Sequence, residues 1–447
     1  MSRQQKLVWI SILYFAEGFP FGIANDVWPI YFRRSGVDLK AIGLMSLLFL
    51  PYTLKAAWAP IVDKLGSRQI WIASCEVLLG VAALAVLAFD PAHPTPALWG
   101  ILLCFTILSA TQDVAIDGYA VDVATPGDSG AINGIRVMFY RIALIAGGGA
   151  LVSATAWIGW KGVFVGGAIL CFAQAFLTFA SPRAPRDPAP PETESELRFG
   201  SRQLALVGLT GIALMAGSMT GWPSWATTIA VVMGGLTLGS FLQPELLRWA
   251  ITPHMLPVFL FVLLFKVGDS ALGKMVKPFW VDRGLTDREI GLISTTLGLV
   301  LTILGGLAGG WFVARRGVYR ALVWLGIAQL VSNFGYVYVA AADLGRWGIY
   351  GASMIESFCQ GLGTTAFLSF LMNLCDRRQG ATQFALLSST FALSRDVAGA
   401  FSGFGVVKLG YAVYFTLTAL IALPALALLP VMRSRIREDP VEPSPAA

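Results

Sequence analysis

Long apolar stretches, interrupted by short polar turns, run along almost the whole chain. Each is roughly 18–28 residues long, which is the length of a helix that crosses a lipid bilayer. Their approximate bounds are 7–32, 39–62, 70–89, 97–122, 131–156, 162–180, 203–220, 223–246, 255–281, 287–313, 319–341, 346–374, 380–404 and 410–432. This pattern predicts an all-α integral membrane protein with about fourteen membrane spans.

Two polar segments break the pattern and divide the chain. Residues 181–202 are rich in proline and charge, as is typical of a solvated cytoplasmic linker, and residues 433–447 are typical of a disordered cytoplasmic tail. The remaining predicted domains are an N-terminal six-helix bundle at 1–180, an extra helix pair at 203–250 and a C-terminal six-helix bundle at 251–432.

The composition and the charge pattern support a membrane protein. The chain is 56% hydrophobic and 13% charged, whereas soluble domains carry about 25% charged residues. The net charge of +6 does not indicate a nucleic-acid partner, because the basic residues lie in short loops. They are about twice as frequent on the side of the two termini, which predicts cytoplasmic termini in a multi-pass protein of the cell inner membrane.

Residue types that enzymes use are scarce. The five cysteines form no CxxC pair, and only two histidines are present, so the spacing suggests neither a metal site nor a nucleophile–base pair. The sequence also lacks the glycine-rich phosphate loop of ATP-driven proteins. We therefore expect no enzyme activity, no metal and no cofactor.

Acidic residues inside apolar stretches are the first candidates for function. Glu17 lies mid-stretch, while Asp113 and Asp117 are four residues apart and share a helical face. If the next helix is antiparallel, Asp117 should lie at the depth of Arg136. Asp113 should then lie at the depth of Arg141. Because charge in a bilayer is costly unless paired, these acids are either a protonation switch or static ion pairs that orient helices.

A second set of polar residues is a candidate for binding a solute. Lys266 and Asp269 lie three residues apart and can pair, and Asp269 is a further proton-coupling candidate. Glu356 and Gln360 share a helical face. A cavity lined by several cations of this set would suit an anionic solute. The candidate substrate-binding residues are Gln112, Arg141, Lys266, Lys274, Glu356, Gln360 and Arg395.

The loop after the second apolar stretch resembles a transporter motif. The run DKLGSR at 63–68 is similar to the Asp-Arg-x-Gly-Arg loop of the major facilitator superfamily. The resemblance implies that Asp63, Lys64 and Arg68 latch the cytoplasmic ends of helices, and we assign Arg136 to the same gating group. The alternative is that these residues are topology charges only.

Longer stretches resemble the muropeptide permease (AmpG) family within the major facilitators. They are PYTLKAAWAPIVDK (51–64), ATQDVAIDGYAVDV (110–123), FKVGDSALGKMVKPF (265–279), IGLISTTLGLVLTILGGLAGG (290–310) and ESFCQGLGTTAFLSFLMNLCDRRQGATQFALLSS (356–389). An internal repeat points the same way, because Ile42-Gly43-Leu44 recurs as Ile290-Gly291-Leu292. The resemblance implies a major facilitator fold of two six-helix bundles, with the extra helix pair between them.

The resemblance also implies an activity. Members of the family import anhydro-muropeptides released by cell-wall turnover, driven by the proton gradient, and Gln112, Asp113, Asp117, Lys266 and Asp269 carry over as cavity or coupling residues. Relatives that carry siderophores or acyl-CoA compounds offer an alternative cargo. A membrane sensor that binds a ligand without moving it is an alternative of another class. We expect a monomer whose partners are a small solute, protons and lipid, with no nucleic acid.

Overall fold

The computed structural model describes residues 2–55, 58–59, 62, 67–123, 129–182, 252, 255–342, 344–374 and 380–436. The regular elements in these ranges are helices: α1 (Arg3–Gly22), α2 (Trp28–Arg34), α3 (Leu39–Leu44), α4 (Leu50–Leu54), α5 (Arg68–Ala85), α6 (Pro96–Val123), α7 (Ser129–Leu144), α8 (Leu151–Phe179), α9 (Leu256–Phe265), α10 (Val267–Asp282), α11 (Asp287–Glu289), α12 (Gly298–Arg316), α13 (Val318–Ala342), α14 (Gly345–Leu374), α15 (Gly380–Ile421) and α16 (Leu423–Arg433). The predicted extra helix pair at 203–250 lies outside the described residues, as do most of the linker and of the tail.

Short turns of different pitch connect several of these helices. They are π-helical at Ile23–Val27, Ile145–Ala150 and Ile290–Leu297, and 3₁₀-helical at Met45–Phe49 and Val86–Ala88. Such turns rotate the helix face between one segment and the next.

Within the described ranges, eight helical runs are long and apolar enough to cross a membrane. Two of them, Ile135–Phe179 and Thr390–Arg433, contain 45 and 44 residues. At about 1.5 Å per residue, such a run is about twice the length that spans a bilayer core. Each is kinked at a glycine of positive φ, Gly159 at 63° and Gly410 at 73°, a backbone conformation that favours glycine. The kinks coincide with the predicted breaks between apolar stretches, and the all-α membrane fold is confirmed.

The chain divides into two compact units. Of the described residues, the first contains those within 1–24, 51–147 and 160–182, and the second contains those within 25–50, 148–159 and 252–436. Residues 25–50 and 148–159 thus group with the C-terminal part of the chain. The bundle boundaries expected from the sequence stay predictions.

The first unit is built around α1 and α6. The helix α1 packs on α7 and α6, and α6 packs on α5. Their contact faces form a buried core of Ile10, Leu13, Tyr14, Val62, Ile72, Ala115, Ile116, Tyr119, Ala120 and Val123. Polar side chains on the same helix faces therefore lie next to a dry core.

In the second unit, α12 and α13 pack on α14, and α10 packs on α15. Aromatic rings fill the space between α10, α13 and α15. The Phe279 ring contacts Tyr336, Tyr411 and Phe415 edge-on, with ring centres 5.0–6.4 Å apart. Such pairs contribute about 0.5–1.5 kcal/mol each beyond their buried area, so α10 is held firmly in this unit.

Candidate functional site

Three carboxyl groups meet inside the first unit, and we call them the acidic cluster. Glu17 comes from α1, and Asp113 and Asp117 come from α6. One carboxylate oxygen from each residue lies within 4.8 Å of the other two. Asp113 and Asp117 reach the same place because residues four apart share a helical face, as the sequence predicts.

Two basic side chains and a tyrosine hold the acidic cluster. Lys55, directly after α4, forms an ion pair with Asp113 and lies 3.9 Å from Asp117. Arg136 of α7 lies 3.0 Å from Asp117, so this predicted pairing is confirmed. The Tyr14 hydroxyl donates a 3.0 Å hydrogen bond to Asp117, and the Arg136 guanidinium lies 5.0 Å from the centre of the Tyr14 ring. The ring face favours a cation at that distance.

The acidic cluster has more acids than bases. Three carboxyl groups are matched by the two cations Lys55 and Arg136. Glu17 and Asp113 are each only 8% exposed, and one oxygen of each, Glu17 Oε2 and Asp113 Oδ1, has no hydrogen-bond partner among the described residues. An uncompensated buried charge is costly, so the arrangement favours uptake of a proton or another small cation.

Arg141 does not take the position expected for it. Asp113 pairs with Lys55 instead, and Arg141, half-buried on α7, forms no ion pair with any part of the chain that the structure describes. The expectation paired Asp113 with Arg141 because the two residues lie at the same depth in the consecutive helices α6 and α7. In the structure, Lys55 reaches Asp113 from another part of the chain. The signal that could have identified Lys55 is its position well inside the apolar stretch 39–62, whereas Lys40 lies at the edge of that stretch.

Gln112 is fully buried and bridges two helices. Its Nε2 donates to the carbonyl of Ala16 in α1 and to Glu76 in α5, both at 3.3 Å. Both N–H groups of the amide are thus used inside the protein, although the sequence suggests that Gln112 binds cargo. Glu76 was not among the predicted residues, yet it stands alone as an acid inside the apolar stretch 70–89.

The gating candidates are only partly visible. Arg68, at the start of α5, lies 3.3 Å from Asp122 near the end of α6 and so ties the ends of these two helices together. Arg136 belongs to the acidic cluster. Asp63 and Lys64 lie outside the described residues, and their role stays a prediction.

A second buried polar group lies in the second unit, and we call it the amide cluster: Lys266, Asp269, Gln329 and Asn333. Lys266 sits at the break between α9 and α10. Its Nζ lies 3.3 Å from Asp269 and donates to Gln329 at 2.6 Å. Asn333 donates to the other oxygen of Asp269 at 2.6 Å. The predicted pairing of Lys266 with Asp269 is confirmed, and a cavity of about 10 Å³ beside Asp269 and Gln329 is roughly the size of one water molecule.

The other candidates of the second unit fall into two groups of electrostatic neighbours: Glu356 with Lys266 and Asp269, and Lys274 with Arg395. The ammonium of Lys274 lies 4.5 Å from the centre of the Phe49 ring, and Arg395 lies 3.2 Å from Asp396. Glu356 is buried on α14, and Gln360 follows one turn later on the same helix. The expected cavity that joins these residues with Arg141 stays a prediction.

Ion pairs join distant parts of the chain within the second unit. Arg33 of α2 forms a bidentate pair with Asp282 of α10, at 2.5 and 2.7 Å. Arg34 lies 2.6 Å from Asp287 in α11. A buried pair between Asp26 and Lys277 lies on the same helices or their extensions. We call these three contacts the α2 ion pairs.

Helices that are apolar over membrane-spanning lengths, yet bury two clusters of charge, define a membrane transporter, because ionisable groups inside a bilayer are characteristic of ion and solute pathways. The chain belongs to the Major Facilitator Superfamily, whose sequence profile matches residues 10–269. It is an AmpG-like member of that superfamily and a transporter rather than an enzyme, as the sequence predicts.

Relatives and solved structures agree over almost the whole chain. The anhydromuropeptide permease of Escherichia coli (strain K12) is 28% identical over 442 residues, which cover 97% of this chain and 81% of that protein. The transporter AmpG 4 of Rickettsia felis is 28% identical over 444 residues and covers 97% and 98%.

Two solved transporters share the fold. A crystal structure of the peptide transporter POT in complex with sulfate superposes with a TM-score of 0.70 at 14% identity, over 98% of this chain and 99% of that one. The nucleoside transporter NupG superposes with a TM-score of 0.68 at 16% identity, over 97% and 99%. At these identities the likeness concerns the fold alone.

Proposed function

We propose that this protein is a proton-coupled importer of anhydro-muropeptides that works by alternating access across the inner membrane, with both termini in the cytoplasm. The observation that carries this proposal is the relationship to the anhydromuropeptide permease of Escherichia coli, which extends over 97% of this chain. The two buried clusters supply the side chains for two separate steps, binding a proton and binding a solute.

The acidic cluster is the proposed proton site. Its three acids and two bases leave one negative charge uncompensated, and a single proton on Glu17, Asp113 or Asp117 removes that charge. Because Lys55 and Arg136 approach from different helices, adding or losing this proton changes the attraction between helices. That change is what couples a proton to a movement of the protein.

The amide cluster and its neighbours are the proposed solute site. Muropeptides carry carboxylates, amides and sugar hydroxyls, which hydrogen-bond well to lysine, glutamine and asparagine side chains. The Lys274 ammonium lies over the Phe49 ring and within electrostatic reach of both Arg395 and Asp396, and this pair of neighbouring cations makes Lys274 a candidate for a solute carboxylate. Glu356, Gln360 and Arg395 are the remaining solute-binding candidates of this unit.

The α2 ion pairs support alternating access. They tie residues 25–50 to the helices after residue 250, and an ion pair between parts that must separate can act as a latch. The pair Arg68–Asp122, which joins the start of α5 to the end of α6, is a second proposed latch, together with Asp63 and Lys64.

The test is uptake of radiolabelled anhydro-muropeptide into proteoliposomes, with and without an inward proton gradient. Wild type should accumulate the compound only with the gradient, and Asp113→Asn should not accumulate it. Asp90→Asn is a matched control, because Asp90 lies in an exposed turn where the hydrogen bond from His93 lowers the pKa of its carboxyl.

Each alternative result has a distinct meaning. No uptake by folded wild type would exclude muropeptides and direct the search to siderophores and acyl-CoA compounds. Binding without accumulation would favour a membrane sensor. Equal accumulation by wild type and Asp113→Asn would keep the cargo and remove Asp113 from the coupling step.

A further inference from the structure

Glu76 is a buried acid that the proposed transport cycle does not yet use. It lies in the middle of α5 with only 1% of its surface exposed. No salt bridge reaches it from any described residue. Its polar and titratable neighbours are the Gln112 amide, the Thr178 hydroxyl and the thiols of Cys75 and Cys171. An ionised carboxylate at this site would lack a counter-charge, which is unfavourable in a dry interior.

Three polar atoms around this contact lack a hydrogen bond in the described structure: Glu76 Oε2, Gln112 Oε1 and the Thr178 hydroxyl. Gln112 Nε2 donates to Glu76 Oε1 at 3.3 Å, but Glu76 Oε2 and Gln112 Oε1 are buried without a hydrogen-bond partner in the described structure. Both are acceptors if Glu76 is ionised, so they cannot bond to each other. A single proton on Oε2 changes this, because a carboxylic acid and a primary amide can form two antiparallel hydrogen bonds.

We propose that Glu76 is held as a neutral carboxylic acid that donates from Oε2 to Gln112 Oε1, and that through this amide it positions the acidic cluster. The positioning role follows from which residues are adjacent in the sequence. Gln112 also donates to Ala16, and Ala16 and Gln112 directly precede Glu17 and Asp113. The acid–amide pair therefore fixes α1 against α6 beside two members of the acidic cluster. The positioning role rests on the proposed proton site, whereas the proton on Glu76 does not.

Infrared spectroscopy tests the proton directly. Purified wild type and Glu76→Gln are compared at neutral pH in the region where protonated carboxyl groups absorb. Wild type should show a band that Glu76→Gln lacks. Gln174→Leu is the matched control, since Gln174 is another buried amide whose side-chain nitrogen and oxygen have no described partner, and it should keep the band. Identical spectra for wild type and Glu76→Gln would overturn the assignment.

Transport variants test the positioning role. Glutamine keeps the paired hydrogen bonds, so Glu76→Gln should retain uptake within about twofold and the wild-type pH profile. Glu76→Leu removes both bonds and should lower uptake about tenfold and shift the pH profile, while Gln174→Leu should change neither. Thermal unfolding in detergent establishes that each variant is folded.

Two outcomes would contradict the positioning role. If Glu76→Gln loses uptake as fully as Glu76→Leu, the proton must leave Glu76 during transport. If Glu76→Leu equals wild type, Glu76 does not position the acidic cluster. If wild type itself does not transport the muropeptide, the infrared comparison still decides whether Glu76 is protonated, so the two proposals fail separately.

Discussion

The acidic cluster and the amide cluster both bury charge among apolar helices, but they neutralise it differently. In the acidic cluster, the bonds to Asp113 and Asp117 come mainly from the cations Lys55 and Arg136, and acids outnumber bases. In the amide cluster, Asp269 is bonded by one lysine and one asparagine, and Lys266 bonds to a neutral glutamine as well. The acidic cluster has a charge balance that one proton can change, which suits the coupling of proton binding to transport. The amide cluster is a hydrogen-bond network with amide groups, which suits recognition of a polar solute.

The largest expected effect separates these two roles. Asp113→Asn leaves two acids and two bases, so the acidic cluster no longer needs a proton, and gradient-driven accumulation should fall more than about tenfold. Asp269→Asn should instead raise the solute concentration for half-maximal uptake and keep the dependence on the gradient. Both are measured in proteoliposomes, with solute exchange in the absence of a gradient as the control. The reverse assignment of these two phenotypes would refute the comparison.

Removing the lysine of the amide cluster tests its charge balance. Lys266→Ala leaves Asp269 buried without its cation, which should lower the free energy of unfolding by about 3–5 kcal/mol. The double variant Lys266→Ala with Asp269→Asn should recover much of this loss. Thermal unfolding in detergent measures both, and Lys408→Ala, at an exposed position of α15, is the control. No recovery in the double variant would mean that Lys266 acts through packing.

The excess of acids over bases in the acidic cluster leads to a further prediction about stability. Removing a base should destabilise the acidic cluster more than removing an acid, so Lys55→Met should cost about 1–3 kcal/mol more than Asp113→Asn. The double variant should be no less stable than Lys55→Met alone. Unfolding of the four proteins in one detergent gives this comparison directly, and equal losses for the two single variants would show that the charge is already balanced.

The smallest effect is expected at Arg33–Asp282, a partly exposed member of the α2 ion pairs. The side chains of Arg33 and Asp282 are 22% and 24% exposed, so Arg33→Gln should cost only about 0.2–1 kcal/mol of stability. The loss should shrink as salt is added, because salt screens exposed charges. A loss as large as that of Lys266→Ala, or one independent of salt, would place this pair with the buried clusters.

Some of the site follows from spacing along the chain. The interval of four between Asp113 and Asp117, and of three between Lys266 and Asp269, fixes which residues share a helical face. Neighbouring antiparallel helices then bring Arg136 to Asp117. These contacts depend on helix geometry and on consecutive packing, both of which are local.

Other contacts could not be predicted this way. Lys55 reaches Asp113 across 58 positions of sequence, and Arg33 reaches Asp282 across 249. Such pairs depend on how non-consecutive helices are rotated and how deep they sit. A single charged residue in an apolar stretch indicates that it has a partner, but it does not identify which residue that partner is.

The sequence by itself determined that this is an all-helical membrane protein of the major facilitator type, because the preference of each stretch for lipid is a local property and the family motifs are contiguous. The pairing of charges became known from the folded structure alone, in which Asp113 pairs with Lys55 rather than with Arg141, and Glu76 contacts Gln112. The physical reason is that a buried charge is stabilised by contacts within a few ångströms, and those distances are set by the packing of helices that lie far apart in the chain.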